Sequence, residues 1–349
     1  MSCSTPVADN ERLLTVVHRG RFSTEETWRR NSGWPGRHAG CVSSSPLPDP
    51  LAEAPFAVAD AYRAGVGVGR LRAADLAVPF LGVRAVSPAA DLAGRCREAA
   101  LVLGADQCFS HLTAAALWGL PLPSRYADRP VELHVSTTGS RAMRRPGVIG
   151  HRITPVARLL LDGLPVVDPV TAWAQCSEQL RVDDLVAMAD GLLGEWSTRP
   201  RARLVERELL ERAAASRAGS RGVVALREAL DLARSNVRSP GETRLRLLLV
   251  RGGLPEPELN VEVRDDDDRW LGIGDLVFRD ARVVVEYEGD GHRVDRKQFE
   301  SDIDRRERFA DARWRTIRVT GGALRTSSSQ VVARVRKHVL GADASPAGR

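Results

Sequence analysis

Leu271 to His292 reads L-G-I-G-D-L-V-F-R-D-A-R-V-V-V-E-Y-E-G-D-G-H. Ile273 to Arg279 predicts a short strand, and the β-branched run from Arg282 to Glu288 predicts another. Only Asp280-Ala281 connects them, so the pair reads as a hairpin. A turn centred there sets Asp275 opposite Glu286 on one side of the sheet, and Glu288 alternates back to the same side. Opposed carboxylates repel across strands. Two readings follow: a solvated acidic face, or a shared cation. The economical cation is divalent, with Mg²⁺ first because it prefers carboxylate and water oxygens.

The flanks carry further signals. Ser239-Pro240-Gly241-Glu242-Thr243 predicts a helix start, with Ser239 as N-cap, Pro240 as first residue and Glu242 in the first turn. Leu245, Leu248 and Leu249 give that helix an apolar stripe. Val294 to Ala312 predicts a second helix. Phe299 and Ile303 mark one face of it, and Asp302, Arg305, Arg306 and Phe309 mark an adjoining one. A strand over Arg315 to Thr320 and a last helix to about Leu340 complete the order helix, hairpin, helix, strand, helix.

From about Ser239 to Leu340 these motifs resemble the domain-of-unknown-function family 559. That family is similar to very-short-patch-repair endonucleases of the PD-(D/E)xK restriction-endonuclease-like superfamily. The matching pieces, in order, are S-P-G-E-T at Glu242, G-D-L-V-F at Asp275, E-Y-E-G-D-G-H at Glu286, Glu288 and His292, D-I-D-R-R-E-R-F at Asp302, Arg305 and Phe309, and W-R-T-I-R-V-T after it. One departure stands out: where the superfamily carries a lysine two places after the second acid, this chain has Glu288. Arg313 also replaces the family's usual glycine before Trp314.

The resemblance implies metal-dependent phosphodiester hydrolysis, with Mg²⁺ or Mn²⁺ held by Asp275 and Glu286. Glu242 would reach the metal through water, and Glu288 would complete the shell or orient the attacking water. His292 reads either as a general acid or base, or as a loop-capping residue. Arg305 reads as a phosphate clamp, as an ion-pair partner of Asp302, or as both. Arg306, on the same face, is a second candidate for phosphate.

Composition sets the frame. The 349 residues suffice for two or three domains. A net charge of +6 leans towards nucleic acid, although 51 basic residues face 45 acidic ones. All but Lys297 and Lys337 of the basic residues are arginine, which fits a high-GC bacterial genome as well as phosphate recognition. Cys3, Cys41, Cys96, Cys108 and Cys176 are scattered without a C-x-x-C pair, against a zinc ribbon or disulfide framework. No long apolar run predicts a membrane span, and no signal-peptide core opens the chain. A cytoplasmic location is expected.

Upstream, residues 1–54 read as a poorly ordered extension, with S-S-S-P-L-P-D-P at Ser43 to Pro50. Residues 55–88 predict two short helices, Phe56 to Ala64 and Arg70 to Asp75, then a strand over Val78 to Val86. This is either a winged-helix remnant, similar to an abortive-infection type IV antitoxin N-terminal domain, or a helical core piece without a DNA role. Residues 89–235 read as an α+β middle region, whose S-H-L-T-A-A-A-L-W-G-L-P recurs in antitoxin-like proteins. Strands are expected at Val131 to Thr137 and Val148 to Ile153. Helices are expected from Pro169, over Val182 to Leu193, over Arg199 to Ala215 and over Arg221 to Arg234. His111, His134, Trp118 and Trp173 read as structural.

The expected architecture is an α+β N-terminal region and a C-terminal α/β restriction-endonuclease-like domain at 239–340, with a mixed sheet flanked by helices and a tail at 341–349. The expected activity is DNA cleavage or nicking in repair, defence or a toxin–antitoxin setting, where a protein partner would also fit. The alternatives are a DNA-binding regulator with a degenerate nuclease fold and a non-catalytic protein-interaction module.

Overall fold

The structure is a computed structural model that describes residues 45–126, 132–153, 158–197, 199–289 and 296–341; for 296–303 it describes the backbone alone. The described residues belong to one compact unit. It is a mixed α/β structure whose mixed sheets are flanked by helices. No helix among the described residues is long and apolar enough to cross a membrane.

The N-terminal piece comprises α1 (Asp49–Glu53), β1 (Phe56–Ala57), α2 (Val58–Arg63), α3 (Val68–Leu71) and β2 (Val83–Arg84). Phe56-Ala57 pairs with Val83-Arg84 instead of opening a helix, so the helix expected from Phe56 begins at Val58. The strand expected over Val78 to Val86 shrinks to two residues plus an isolated bridge at Ala85. Pro79 brings no N–H to a ladder, and Gly82 turns with φ +85°.

The middle comprises α4 (Leu92–Ala100), β3 (Gln107–Phe109), α5 (His111–Leu117), β4 (Leu133–Thr137), β5 (Arg144–Arg145), β6 (Val148–Arg152), β7 (Arg158–Leu161), β8 (Leu164–Val167), α6 (Pro169–Cys176), α7 (Val182–Leu193), α8 (Arg207–Ser216) and α9 (Val223–Leu232). Six strands form a mixed sheet in the order β5-β6-β4-β3-β8-β7. Phe109, Leu133, Val135 and Val166 from the sheet share one core with Trp118, Trp173 and Met188 from the helices. Both tryptophans are buried and donate their ring N–H to backbone carbonyls, of Val167 and Leu185. The helix expected over Arg199 to Ala215 starts late: Pro200 to Ala202 makes a single tight turn and Leu204 sits at φ +51°.

The C-terminal part comprises α10 (Pro240–Arg251), β9 (Glu258–Arg264), β10 (Trp270–Phe278), β11 (Val283–Glu288), α11 (Arg296–Asp311), β12 (Arg315–Thr320), α12 (Gly321–Thr326) and α13 (Ser328–Val339). The sheet order is β12-β11-β10-β9, antiparallel except for the parallel β11–β12 pair. Leu276, Phe278, Val283 and Val285 join the core shared with Leu245 and Leu249 of α10 and Val331 and Val335 of α13. Val277 and Val284 point to the other side, into a core with Phe309 and Trp314. Strand alternation thus makes three layers, helix–sheet–helix. The single last helix expected is two, broken at Ser327 with φ −137°.

Candidate catalytic carboxylates and an adjoining basic groove

The β10–β11 register pairs Leu276 with Val285 and Val277 with Val284, the register expected from the Asp280-Ala281 turn. Its next step outward sets Asp275 beside Glu286, and Tyr287 donates its backbone N–H to Asp275 Oδ2 at 2.9 Å. On the other side, pairs Gly274–Val261 and Leu276–Leu259 bracket Asn260 opposite Asp275. In the parallel pair Glu286 faces Arg318. One row therefore crosses all four strands: Asn260, Asp275, Glu286, Arg318. Asp275 and Glu286 share the parity of Val277 and Val284, so they lie on the α11 side.

Glu242 enters from the first turn of α10. Ser239 caps the helix, its Oγ accepting from the Glu242 N–H at 3.2 Å and donating to Glu242 Oε1 at 2.9 Å. Glu242 Oε2 accepts from the Arg238 N–H at 3.0 Å and from Asn260 Nδ2 at 2.7 Å. Both Glu242 and Glu286 are buried. The Asp275 carboxyl is pushed up to about 6, first by burial and then by the Glu242 charge, with Glu286 adding and the Tyr287 N–H and Arg305 opposing. Glu242, Asp275 and Glu286 are thus electrostatically one cluster.

Two arginines answer it. Arg305 Nη1 lies 2.6 Å from Glu286 Oε1, its Nη2 donates to the Ile273 carbonyl, and its guanidinium lies 5.2 Å from the centre of the Phe309 ring. Arg318 Nη1 lies 2.6 Å from Glu288 Oε1, and its Nε is 3.7 Å from Glu286 Oε2. Gly272 leaves space for this: a Cβ there would come 2.7 Å from Arg305 Nε.

Of the residues expected at the site, Glu242, Asp275, Glu286, Glu288 and Arg305 come together. His292 lies outside the described residues, and so does the side chain of Asp302, although its helix is placed. Arg306 stands apart from the carboxylates and lines an open groove of about 410 Å³ with Arg315, Arg318, Arg334 and His338. Arg334 Nη2 donates to the Arg318 carbonyl at 2.6 Å. The His338 ring is held below its usual range, by burial and then by Arg315, Lys337 and Arg334, as expected for a locally positive surface. Arg318 belongs to both places, so the groove adjoins the acid row.

Asn260 and Arg318 were not expected as site residues. Arg318 had a signal, because R-T-I-R-V-T alternates and a parallel neighbour of the acid strand puts its inward arginine on the same side. Asn260 had none, because a turn-type residue at φ +49° interrupts the alternation of β9.

Donor chemistry is the test of whether Mg²⁺ suits this place. The ligand-capable atoms of Asp275, Glu286 and Glu242 are all carboxylate oxygens, the hard donors such an ion takes. Burial first, and the Glu242 and Glu286 charges after it, disfavour the Asp275 carboxylate, which positive charge beside it would favour, as Arg305 does in part. The residues present fit the ion.

Comparison with known proteins adds distant relatives. The chain is 25% identical over 249 residues, 71% of its length and 87% of theirs, to an uncharacterized protein of Mycobacterium tuberculosis, found alike in strains CDC 1551 / Oshkosh and ATCC 25618 / H37Rv. No family model matches, and no solved structure matches.

Proposed function

We propose that the C-terminal part is a restriction-endonuclease-like domain that hydrolyses DNA phosphodiester bonds with Mg²⁺ or Mn²⁺. The observation that carries this reading is the row Asp275, Glu286 and Arg318, with Glu242 beside it and the arginine-lined groove next to it. Asp275 and Glu286 would hold the cation. When bound, it would lower the pKa of a water and neutralise charge on the scissile phosphate.

The chain's own residues supply the rest. The Glu242 carboxylate is fixed by three hydrogen bonds, from Ser239, Arg238 and Asn260, which suits a carboxylate that orients a water rather than one that moves. Glu288 Oε2 can take a proton from the attacking water as the new P–O bond forms, and the oxygen released when the bridging P–O bond breaks takes a proton from solvent. Arg305 and Arg318 provide the positive charge that a lysine supplies in the superfamily, and both forks match phosphate geometry. The groove of Arg306, Arg315 and Arg334 would follow the DNA backbone away from the cleaved bond. α2, α3 and the β1–β2 pair fit a winged-helix remnant, and a cytoplasmic defence or toxin–antitoxin setting suits the combination.

One observation favours a second reading. Arg305 already neutralises Glu286, and Arg318 already neutralises Glu288, as in a nuclease scaffold kept for DNA binding alone. Supercoiled-plasmid cleavage separates the two. Purified protein is compared in Mg²⁺, Mn²⁺ and excess EDTA, with Asp275→Ala as control. Nicking that needs the metal and disappears in the variant supports the nuclease. Duplex binding that survives EDTA, without cleavage of single-stranded, mismatched or duplex DNA, moves the assignment to the binding protein.

A further inference from the structure

Three of the chain's seven histidines meet in the middle region, far along the sequence from the acid row. His111 opens α5, His134 lies on β4 and His151 on β6. Strands β4 and β6 run parallel, with His134 paired to Ile149 and Ser136 to His151. His134 Nδ1 lies 2.9 Å from His151 Nε2. With ring centres 5.1 Å apart and planes within 11°, the two nitrogens sit between the rings, edge to edge. The His111 ring covers His151 at 3.7 Å and 18°. One nitrogen from each ring lies within 4.8 Å of the other two.

The surroundings are prepared rather than accidental. His111 Nδ1 is 3.0 Å from Ser110 Oγ, which also accepts from Ser136 Oγ at 2.7 Å. With Nδ1 engaged by Ser110, Nε2 is the nitrogen left for a ligand, and it binds in the tautomer that carries the proton on Nδ1. The backbone N–H of His111 donates to Gln175 Oε1 at 3.0 Å, and that of His134 to Thr113 Oγ1 at 2.8 Å. His111 holds φ +49°, a left-handed conformation that costs a non-glycine residue about 1 kcal/mol or more.

The simplest alternative is a packing stack. Cys108, paired with Ser136, belongs to the apolar core and shares the sheet face of His134 and His151, and an apolar side chain at either buried position, 111 or 134, would avoid burying a polar ring. His111 and His134 are buried and His151 is half-buried, which leaves one side of the cluster open to an incoming ion.

We propose that His111, His134 and His151 form a binding site for a borderline transition ion, Zn²⁺ first, with its fourth position filled by water on the His151 side. Zn–N bonds near 2.05 Å in a tetrahedral site set nitrogens roughly 3.3 Å apart. Binding would replace the His134–His151 hydrogen bond, and the His111 ring would rotate out of its stack on His151 to aim a nitrogen at the ion. All three donors are imidazoles, so Zn²⁺, Co²⁺ and Ni²⁺ suit the site and Mg²⁺ does not. The ion would tie α5 to β4 and β6.

The test uses full-length protein stripped with chelator and titrated with Zn²⁺ alone, with Co²⁺ as a spectroscopic substitute. One ion per chain is expected, with a Co²⁺ visible absorption of tetrahedral intensity and a rise in melting temperature. His151→Asn and His134→Gln should each weaken Zn²⁺ binding beyond the roughly 10–100-fold that losing a supporting hydrogen-bond partner costs. His151→Asn, at the half-buried position, keeps the test alive if the buried variant misfolds. Asp275→Ala should bind Zn²⁺ unchanged, which separates this site from the carboxylates. No stoichiometric Zn²⁺ at micromolar concentration, or binding that survives His151→Asn at full strength, overturns the proposal.

Discussion

Asp275 is asked to be a charge in a place that resists charge. Its backbone partner, the Tyr287 N–H, favours the carboxylate, yet burial with Glu242 and Glu286 outweighs it and the pKa rises to about 6. The folded pKa therefore exceeds the unfolded value of about 3.9. Between the two, the folded state binds more protons, so stability falls as pH rises through about 6. Asp275→Asn keeps an acceptor for Tyr287 and removes the charge. At pH 7.5 it should gain on the order of 2 kcal/mol in urea unfolding, and the gain should shrink to nothing by about pH 4. The same variant should lose metal-dependent nicking. Such a trade between stability and chemistry is expected of a functional carboxylate. An Asn variant no more stable than the parent at pH 7.5 would refute the crowding argument.

At the scale of elements, α10 is held against the sheet by what Gly241 lacks. A Cβ there would be driven into the Tyr287 ring, on the opposite side of β11 from the acids. Tyr287 is fixed in turn, because its N–H is committed to Asp275. Gly241→Ala should thus cost about 1–3 kcal/mol despite a better helix propensity, since overpacking outweighs it. It should also displace Glu242 from Asn260, lowering cleavage together with stability. A neutral Gly241→Ala in thermal melts would mean that α10 slides freely on the sheet. The S-P-G-E-T stretch was legible as a capped helix because caps are local chemistry. The hairpin was legible because Asp280-Ala281 leaves one tight register. β9 was not read, although E-L-N-V-E-V-R alternates, because Asn260 at φ +49° interrupts the run with a residue typical of turns. The short strands β3, β5, β7 and β8 were missed for a related reason. Two to four residues carry too little periodicity, and their pairing is settled by distant partners. The acids and Arg305 could be read from sequence, whereas the pairing of Arg305 with Glu286 and the place of Arg318 beside it needed the fold.

Over the whole molecule, the two larger sheets are joined through α7 and α10, and the joint is polar. Asp190 on α7 and Arg246 on α10 are each 0% exposed, with Asp190 Oδ2 3.7 Å from Arg246 Nη2. Thr243 Oγ1 donates to Asp190 Oδ2 at 2.7 Å, and the Arg234 N–H donates to Oδ1 at 2.7 Å. Arg246 also reaches Glu256 Oε1 at 2.8 Å and the Leu232 carbonyl at 2.7 Å. Burial still raises Asp190 to about 6 against all these donors, so the pair stabilises little in itself at pH 7. Its contribution is position: the donors accept one placement of α10 on α7, and with it one placement of Glu242 beside the acid row. Removing one partner leaves the other buried and under-compensated, at a cost of about 3–5 kcal/mol. Asp190→Ala should therefore do more than lower the midpoint. Trp173 reports the large middle core and Trp314 the layer under α11. In the parent chain both should report one cooperative urea transition. In Asp190→Ala, tryptophan fluorescence with Trp173→Phe or Trp314→Phe backgrounds should resolve two, the C-terminal part unfolding on its own. Coincident transitions in the variant would mean that apolar contacts across α7 and α10, Leu247 among them, couple the halves without the buried charges.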